Sequence, residues 1–179
     1  SANVAVVGKE HQGKVIPATD ALITSVPGVF LMLRFADCVP IVIYDPAHRA
    51  VALVHAGWKG SLQGIVIKTV EKMRETYGSR PQELIAGIGP SIGPCCYEVG
   101  EEVIEMAKAT CSSPPLLEKP GGSVHLDLWE LNRMQLLSLG VRDVEVAGIC
   151  TACHNDEFFS HRASGGRTGR FAGIIGLRC

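Results

Sequence analysis

The sequence predicts a mixed α/β (α+β) fold in which helices are layered on a sheet. Three observations predict it. Short apolar runs rich in β-branched residues dominate the first third of the chain. A helical period of apolar residues begins after Gly60, and short strand-like and helix-like segments then alternate to the C-terminus. The third is size: the chain has 179 residues, 46% of them hydrophobic, which is enough to bury a core without disulfides or metal ions.

The first third of the chain predicts strands because its apolar runs are separated by turn-forming residues. Pro27-Gly28 and Asp45-Pro46 mark these turns. The predicted strands are Val29–Arg34, Val39–Tyr44 and Val51–His55.

Helices and further strands are predicted after Gly60. Apolar residues recur at helical spacing from Leu62 to Met73, and Gly78 with Pro81 ends that helix. The later predicted elements are a strand over Leu84–Ile88, helices over Val103–Ala109 and Leu126–Leu139, and strands over Val144–Ile149 and Phe171–Leu177. Two segments are predicted to be loops, Cys111–Gly122 and Ser160–Arg170. No repeat or linker divides the sequence, so we expect one domain over residues 1–179.

The charge balance excludes several function classes. Seventeen Lys and Arg residues oppose 18 Asp and Glu residues, giving a formal net charge of −1, so the chain has no basic excess with which to bind nucleic acid. No apolar run approaches the ~20 residues of a membrane helix, and no secretory signal is visible. We therefore expect no nucleic-acid or membrane partner, and a cytoplasmic location.

A cysteine and a histidine lie at the ends of two predicted neighbouring strands. Cys38 directly precedes one strand and His55 ends the next, so the two side chains can converge. Thiolate and imidazole are preferred zinc ligands, and the same pair could form a nucleophilic dyad. A buried thiol beside a hydrogen-bonded histidine fits the spacing equally well.

Two other patterns carry possible chemistry. Cys150-x-x-Cys153-His154 matches a haem-attachment pattern, and its cysteine pair also suits a redox site or half of a zinc site. A zinc site would need a second pair, and the adjacent Cys95 and Cys96 suit tetrahedral chelation poorly, so we expect this spacing to be coincidental. The arginines of the Ser160–Arg170 loop suit an oxyanion or a phosphate, although a solvated loop has the same composition.

Several motifs in order resemble the YfiH-type family, long labelled laccase-domain or polyphenol oxidase proteins. The motifs, as they stand here, are Thr19–Leu22 (TDAL), Ala36–Pro40 (ADCVP), His55–Gly60 (HAGWKG), Ile88–Gly100 (IGPSIGPCCYEVG), Phe158–Arg162 (FFSHR) and Thr168–Arg170 (TGR). The resemblance runs from about Lys9 to the C-terminus. It implies a YfiH-like domain, here lacking the N-terminal stretch that family members usually carry.

The resemblance also implies a single metal site built from a histidine, a cysteine and a second histidine. On this chain the ligands would be His11, Cys38 and His55, holding Zn²⁺ or, as an alternative, Cu²⁺. The implied activities are phosphorolysis of adenosine, inosine and methylthioadenosine, and deamination of adenosine, with a nucleoside and phosphate as small-molecule partners.

Roles for individual residues follow from that chemistry. Zinc can lower the pKa of its bound water to ~7 and so supply hydroxide for deamination. Asp37 would be a proton shuttle or a hydrogen-bond partner of a ligand. Arg162 and Arg170 would hold phosphate, with Lys59 as a less favoured candidate.

Three alternatives of other classes remain: a copper-dependent, laccase-like polyphenol oxidase, a Cys–His thiol hydrolase, and a non-enzymatic scaffold that retains metal without turnover. The six histidines of the chain are few for a multicopper cluster.

Overall fold

The fold is built on a six-stranded sheet with helices on one face and a two-stranded sheet on the other. The computed structural model describes residues 2–178. Within them the strands are β1 (Val4–Val6), β2 (Ala21–Thr24), β3 (Phe30–Phe35), β4 (Val39–Asp45), β5 (Ala50–Ala56), β6 (Ile85–Ile88), β7 (Leu116–Glu118), β8 (Val124–Leu126), β9 (Asp143–Val146) and β10 (Phe171–Gly176). The helices are α1 (Trp58–Leu62), α2 (Ile65–Tyr77), α3 (Glu101–Thr110) and α4 (Leu128–Ser138).

The central sheet has the strand order β1-β2-β5-β4-β6-β9, and β3 pairs with β10 in a second, antiparallel sheet. Strand β5 is apolar almost throughout because both of its faces are buried. Ala52 and Val54 belong to the core shared with the helices, whereas Val51 and Leu53 belong to the core shared with β3 and β10. Successive side chains of β5 therefore point to opposite layers of the fold.

The helices are placed by their apolar faces and their ends. In α2 the buried residues include Ile65, Val66, Thr69, Val70 and Met73, which recur at helical spacing. The Asp127 side chain accepts a hydrogen bond of 3.0 Å from the backbone N–H of Glu130 and so caps α4. Such a cap contributes about 1 kcal/mol.

All six strands of the central sheet have one of their ends along the same side of the sheet. Strands β1, β2 and β4 begin there, while β5, β6 and β9 end there, as the registers Val4↔Ala21, Ala21↔Val54, Val39↔Ala56, Ile41↔Ile88 and Ile88↔Val146 show. We call this side, which is formed by the starts of β1, β2 and β4 and the ends of β5, β6 and β9, the loaded edge.

The predicted mixed α/β class is confirmed, and the structure adds elements that the sequence did not reveal. Strands β1 and β2 were not predicted, since they are only three and four residues long. The predicted loop over Cys111–Gly122 contains β7, which pairs with β8 across a turn with positive φ at Gly121 and Gly122. Helix α4 begins at Leu128 because Leu126 belongs to β8.

Within residues 2–178, none of the helices combines the length and the apolar character needed to cross a bilayer.

Candidate active site

Cys38 and His55 lie together on the loaded edge. The register pairs Pro40 with His55, which places Cys38 opposite Gly57. A Cβ atom at position 57 would lie 3.2 Å from the Cys38 Sγ and 3.9 Å from the His55 Cε1. Both side chains therefore border the same small space, which a side chain at position 57 would fill. The two residues also face the same layer, because Cys38 packs with the β3–β10 core and the His55 ring lies against Phe35 at 5.6 Å between centroids.

The orientation of His55 is set from behind by a carboxylate. The Asp20 Oδ1 lies 3.5 Å from the His55 Nδ1, and the backbone N–H of His55 donates to the Asp20 carbonyl at 2.7 Å. This leaves Nε2 as the ring nitrogen for a ligand. A carboxylate behind a histidine is the usual support for a metal-binding or proton-transferring imidazole.

Asp37 is held rigidly beside Cys38. Its Oδ1 accepts from the Thr151 hydroxyl at 2.7 Å, and its Oδ2 accepts from the backbone N–H of Arg162 at 2.6 Å. Its φ of 81° lies in the left-handed region, which is costly for a residue other than glycine. These contacts suit a positioning role, which differs from the two roles expected for Asp37: the carboxylate joins three separate segments around the cavity.

A cavity of about 430 Å³ opens in front of this pair, a size typical of small-molecule sites. Its lining residues are Arg34, Ala36, Asp37, Cys38, His55, Trp58, Ile92, Tyr97, His161, Arg162 and Arg170. Another cleft, of about 480 Å³, has a largely apolar lining in which Glu145 is the one ionisable residue. The smaller cavity is therefore the better candidate for the chemistry.

Three arginines line the cavity, Arg34, Arg162 and Arg170. Arg162 is already engaged, since its Nη2 donates to the Glu98 carbonyl at 2.9 Å and its Nη1 to the Cys96 carbonyl at 3.3 Å. Arg170 Nη1 donates to the carbonyls of Thr168 and Gly169. The less favoured Lys59 lies 5.0 Å over the Trp58 ring and does not line this cavity.

The structure adds residues to which sequence reasoning gave no role: Arg34, Trp58, Tyr97 and His161. Tyr97 lies under Arg162, with 5.3 Å between the guanidinium carbon and the ring centroid. Burial and the nearby Cys38 raise the pKa of Tyr97 to about 12, although Arg162 acts in the opposite direction. The hydroxyl therefore stays protonated at neutral pH. Trp58, Tyr97 and His161 stand inside quoted motifs, which was the available signal for these three, whereas Arg34 lies outside them.

The thiol of Cys38 is not primed as a nucleophile. Burial, and next the Asp37 carboxylate, raise the pKa of Cys38 above its ordinary value of 9.0, against the opposing effect of Arg170. Activated cysteine nucleophiles have lowered pKa values. This observation counts against the thiol-hydrolase alternative.

Alkylation of Cys38 by iodoacetamide is expected to be slow at pH 7 and to accelerate above pH 9 in metal-free protein. The reason is that the thiolate is the reacting form and a raised pKa moves its appearance to higher pH. Timed labelling followed by mass spectrometry of the Cys38 peptide measures this, with urea-unfolded protein as the reference. Half-maximal labelling of native Cys38 below pH 8 would contradict the assignment.

The structure does not bring His11 to Cys38 and His55. Strand β1 runs parallel to β2, so the chain leaves β1 at the edge opposite the loaded edge. There the Gln12 side chain donates to the Gly28 carbonyl, and the His11 Nδ1 accepts from the backbone N–H of Gly8. The length of β2, roughly 10 Å, separates the two ends. Residues 2–178 therefore do not assemble the predicted three-ligand set. Cys38 and His55 supply two donor atoms, and His11 does not supply the third.

The structure brings Cys150 and Cys153 together with Cys95 and Cys96, a grouping that the expectation of a coincidental spacing did not include. Cys95, Cys96, Cys150 and Cys153 form one cluster, in which the four Sγ atoms lie within 4.8 Å of one another. A metal ion is compatible with this set of donors. We call it the four-cysteine cluster.

The protonation of the cluster is uneven. Burial raises the pKa of Cys150, but the N–H groups of Gly93, Cys153 and Ala152 outweigh it and lower the pKa to about 7. Burial and neighbouring thiols raise the pKa of Cys95 to about 11 and raise that of Cys96 as well.

Fold and site together define a class: a mixed α/β protein with a thiol–imidazole pair at a sheet edge, facing an arginine-lined cavity. The family described as "Multi-copper polyphenol oxidoreductase laccase" matches residues 1–178. The chain belongs to this family, which confirms the relationship expected from the motifs.

The similar proteins carry other activities in their names. A protein of Bacteroides thetaiotaomicron named purine nucleoside phosphorylase is 43% identical over 93% of this chain and 64% of its own length. A prokaryotic protein named adenosine deaminase RL5 is 36% identical over 92% of this chain and 65% of its own length. The crystal structure of YlmD from Geobacillus stearothermophilus superposes with a TM-score of 0.93 and 39% identity, covering 99% of this chain and 70% of that one. The chain thus spans under two thirds of the length of these curated relatives.

Proposed function

We propose that the chain carries a purine nucleoside phosphorylase site, with adenosine deamination as a second activity of the same cavity. The observation that carries the proposal is that three arginines line the same cavity as the Cys38–His55 pair. Relatives named for these two activities, at 43% and 36% identity, support the substrate class.

Phosphorolysis requires a site that binds the phosphate anion and a surface that binds the purine base. A phosphate oxygen forms a bond to C1′ of the ribose while the bond from C1′ to the base nitrogen breaks, and the departing base takes up a proton. Arg34 and Arg170 would hold the phosphate, since guanidinium forks bind oxyanions through paired donors. Arg162 would contribute charge and position Tyr97, since both of its Nη atoms donate to carbonyls, whereas the two carbonyl contacts of Arg170 both use Nη1. The rings of Tyr97 and Trp58 offer flat faces to a purine.

Cys38 and His55 offer the types of donor atom that zinc prefers, but they supply only two donors. Sulfur and imidazole nitrogen suit zinc, and Asp20 behind His55 is the expected support. Catalytic zinc sites use three protein ligands, and no third donor is gathered at this pair within the described residues. We propose Cys38 and His55 as metal ligands and derive no catalytic step through the ion.

Adenosine deamination is the second candidate because one similar protein is named for it. In this reaction water adds to the purine carbon that bears the amino group, the bond from that carbon to nitrogen breaks and ammonia leaves, and no phosphate is required. The same cavity would bind the nucleoside, and the arginines would then be dispensable for the chemistry.

Two of the alternatives, the thiol hydrolase and the laccase-type oxidase, receive less support from the described residues. The raised pKa of Cys38 disfavours a thiol hydrolase. A laccase-type oxidase needs a histidine-rich copper cluster, and the donor clusters found within residues 2–178 contain a single histidine, His154.

A nucleoside assay tests the proposal. Purified chain is incubated with adenosine or inosine, with and without phosphate, and free base and deaminated nucleoside are separated by chromatography. We expect base release that depends on phosphate, and inosine from adenosine without it. Treatment with a strong chelator, then re-addition of zinc or copper, tests the metal and its identity. Absence of both products under every condition would overturn the proposed function.

A further inference from the structure

The four-cysteine cluster lies where two loops leave neighbouring parallel strands. Strand β6 pairs in parallel with β9, and the pairing continues beyond them, as the Ser91 N–H donates to the Ile149 carbonyl and the Thr151 N–H to the Ser91 carbonyl. The two following turns therefore start side by side. One turn carries Cys95 and Cys96, and the other carries Cys150 and Cys153.

Close packing holds the two turns together. The Gly93 N–H donates to the Cys150 Sγ at 3.2 Å. A Cβ at position 93 would lie 2.7 Å from the Trp129 ring and 3.2 Å from the Cys150 Cβ, so only glycine lets the turns approach this closely. Cys150 is buried, whereas Cys95 and Cys153 are exposed. The cluster is thus anchored at one thiol and open to solvent at others.

The sulfur spacing matches a single tetrahedral ion. Cys153 Sγ lies 3.6 Å from the Cys95 Sγ and 3.4 Å from the Cys96 Sγ. Four sulfurs at about 2.3 Å from a zinc ion are about 3.8 Å apart. A disulfide would instead bring two sulfurs to about 2.05 Å, and all four of these cysteines are free. The spread is too small to enclose a multi-iron cluster.

We propose that Cys95, Cys96, Cys150 and Cys153 form a structural tetrathiolate site for one zinc ion, separate from the Cys38–His55 pair. Four thiolates in tetrahedral arrangement are the donor set of a closed structural zinc site. The site fastens the two loops to each other. It does not depend on the proposed function of the cavity.

The loops fastened in this way also build the cavity. Thr151 stands between two of the cysteines and donates to the Asp37 carboxylate, while Arg162 donates to the carbonyl of Cys96. Tyr97 follows Cys96 and lines the cavity. A zinc ion in the cluster would therefore stabilise the positions of Asp37 and Tyr97 without touching the substrate.

Metal content in variants tests the proposal. Tag-free protein is purified under reducing conditions, loaded with Zn²⁺, desalted, and analysed for zinc by mass spectrometry. To isolate the cluster, the measurement uses the Cys38→Ser/His55→Ala double variant as background. We expect one zinc per chain in this background. Adding Cys150→Ser or Cys153→Ser should lower the zinc content well below one ion per chain, because a structural site needs its complete ligand set, and adding Cys111→Ser should leave the zinc content unchanged.

Two further measurements keep the proposal falsifiable if Cys150→Ser folds poorly. Cys153 is exposed, so Cys153→Ser is expected to fold, and cobalt substitution in the background protein should give the thiolate charge-transfer and tetrahedral visible bands. A strong chelator should lower the melting temperature of the background protein but not that of the Cys153→Ser protein. Equal zinc content with and without Cys153→Ser would overturn the proposal, as would a disulfide between Cys153 and Cys95 or Cys96 in the reduced preparation.

Discussion

Replacing His55 by alanine is expected to lower kcat for nucleoside phosphorolysis by more than the roughly 10- to 100-fold that follows from losing a group that supports a ligand, because it removes one of the two proposed metal ligands. The loss should be large because His55 is the imidazole that the Asp20 carboxylate orients toward the cavity. Steady-state rates of base release from inosine at saturating phosphate measure it.

Matched substitutions separate this role from general destabilisation. Asp20→Asn keeps the imidazole and weakens its support, so about a 10- to 100-fold loss is expected. His154→Ala removes an exposed histidine that does not line the cavity and should leave kcat unchanged. An unimpaired His55→Ala protein, or equal losses in the His55→Ala and His154→Ala proteins, would contradict the role.

His11→Ala tests the ligand expected from the resemblance. Because His11 follows β1 at the edge opposite His55, activity should stay close to that of the parent chain. A loss as large as that of His55→Ala would show instead that His11 joins the site in solution.

Replacing Arg170 by alanine is expected to lower kcat/KM for phosphate by about 10- to 100-fold, because a charge-assisted hydrogen bond contributes about 1.5–3 kcal/mol. Deamination of adenosine uses no phosphate, so it should change little in the same variant. This contrast within one protein distinguishes loss of phosphate binding from loss of folding.

The control is Arg80→Ala, since Arg80 is exposed and pairs with Glu83 rather than lining the cavity. Both activities should be retained in that variant. An Arg170→Ala protein with an unchanged KM for phosphate, or with both activities reduced equally, would remove Arg170 from the phosphate site.

The convergence of Cys38 and His55 was predictable because it depends on local rules. Two neighbouring antiparallel strands joined by a short turn bring the start of the first strand beside the end of the second. Because side chains alternate between the two faces of a sheet, the register then decides whether two side chains lie on the same face. Both conditions can be read from the sequence of β4 and β5. The same reasoning fails for His11, since its position depends on β1 running parallel to β2, and a three-residue strand has too little pattern to reveal that.

The four-cysteine cluster was beyond sequence reasoning for a similar physical reason. Its two halves meet because β6 pairs in parallel with β9. These segments lie more than fifty residues apart, and the order of the strands in the sheet is set by tertiary packing.

Nor does the sequence reveal that Asp37 adopts a positive φ. The partners of its carboxylate, Thr151 and the Arg162 backbone, reach Asp37 from distant loops, so the sequence around Asp37 does not reveal them either.

The most direct measurement follows the sugar product. Purified chain is incubated with inosine and inorganic phosphate, and phosphorus NMR is recorded while hypoxanthine is quantified by chromatography. The account predicts ribose 1-phosphate and hypoxanthine in equimolar amounts, at a rate that rises with phosphate and collapses in the His55→Ala protein. Hypoxanthine released without a sugar phosphate, or no release by a folded chain, would contradict it.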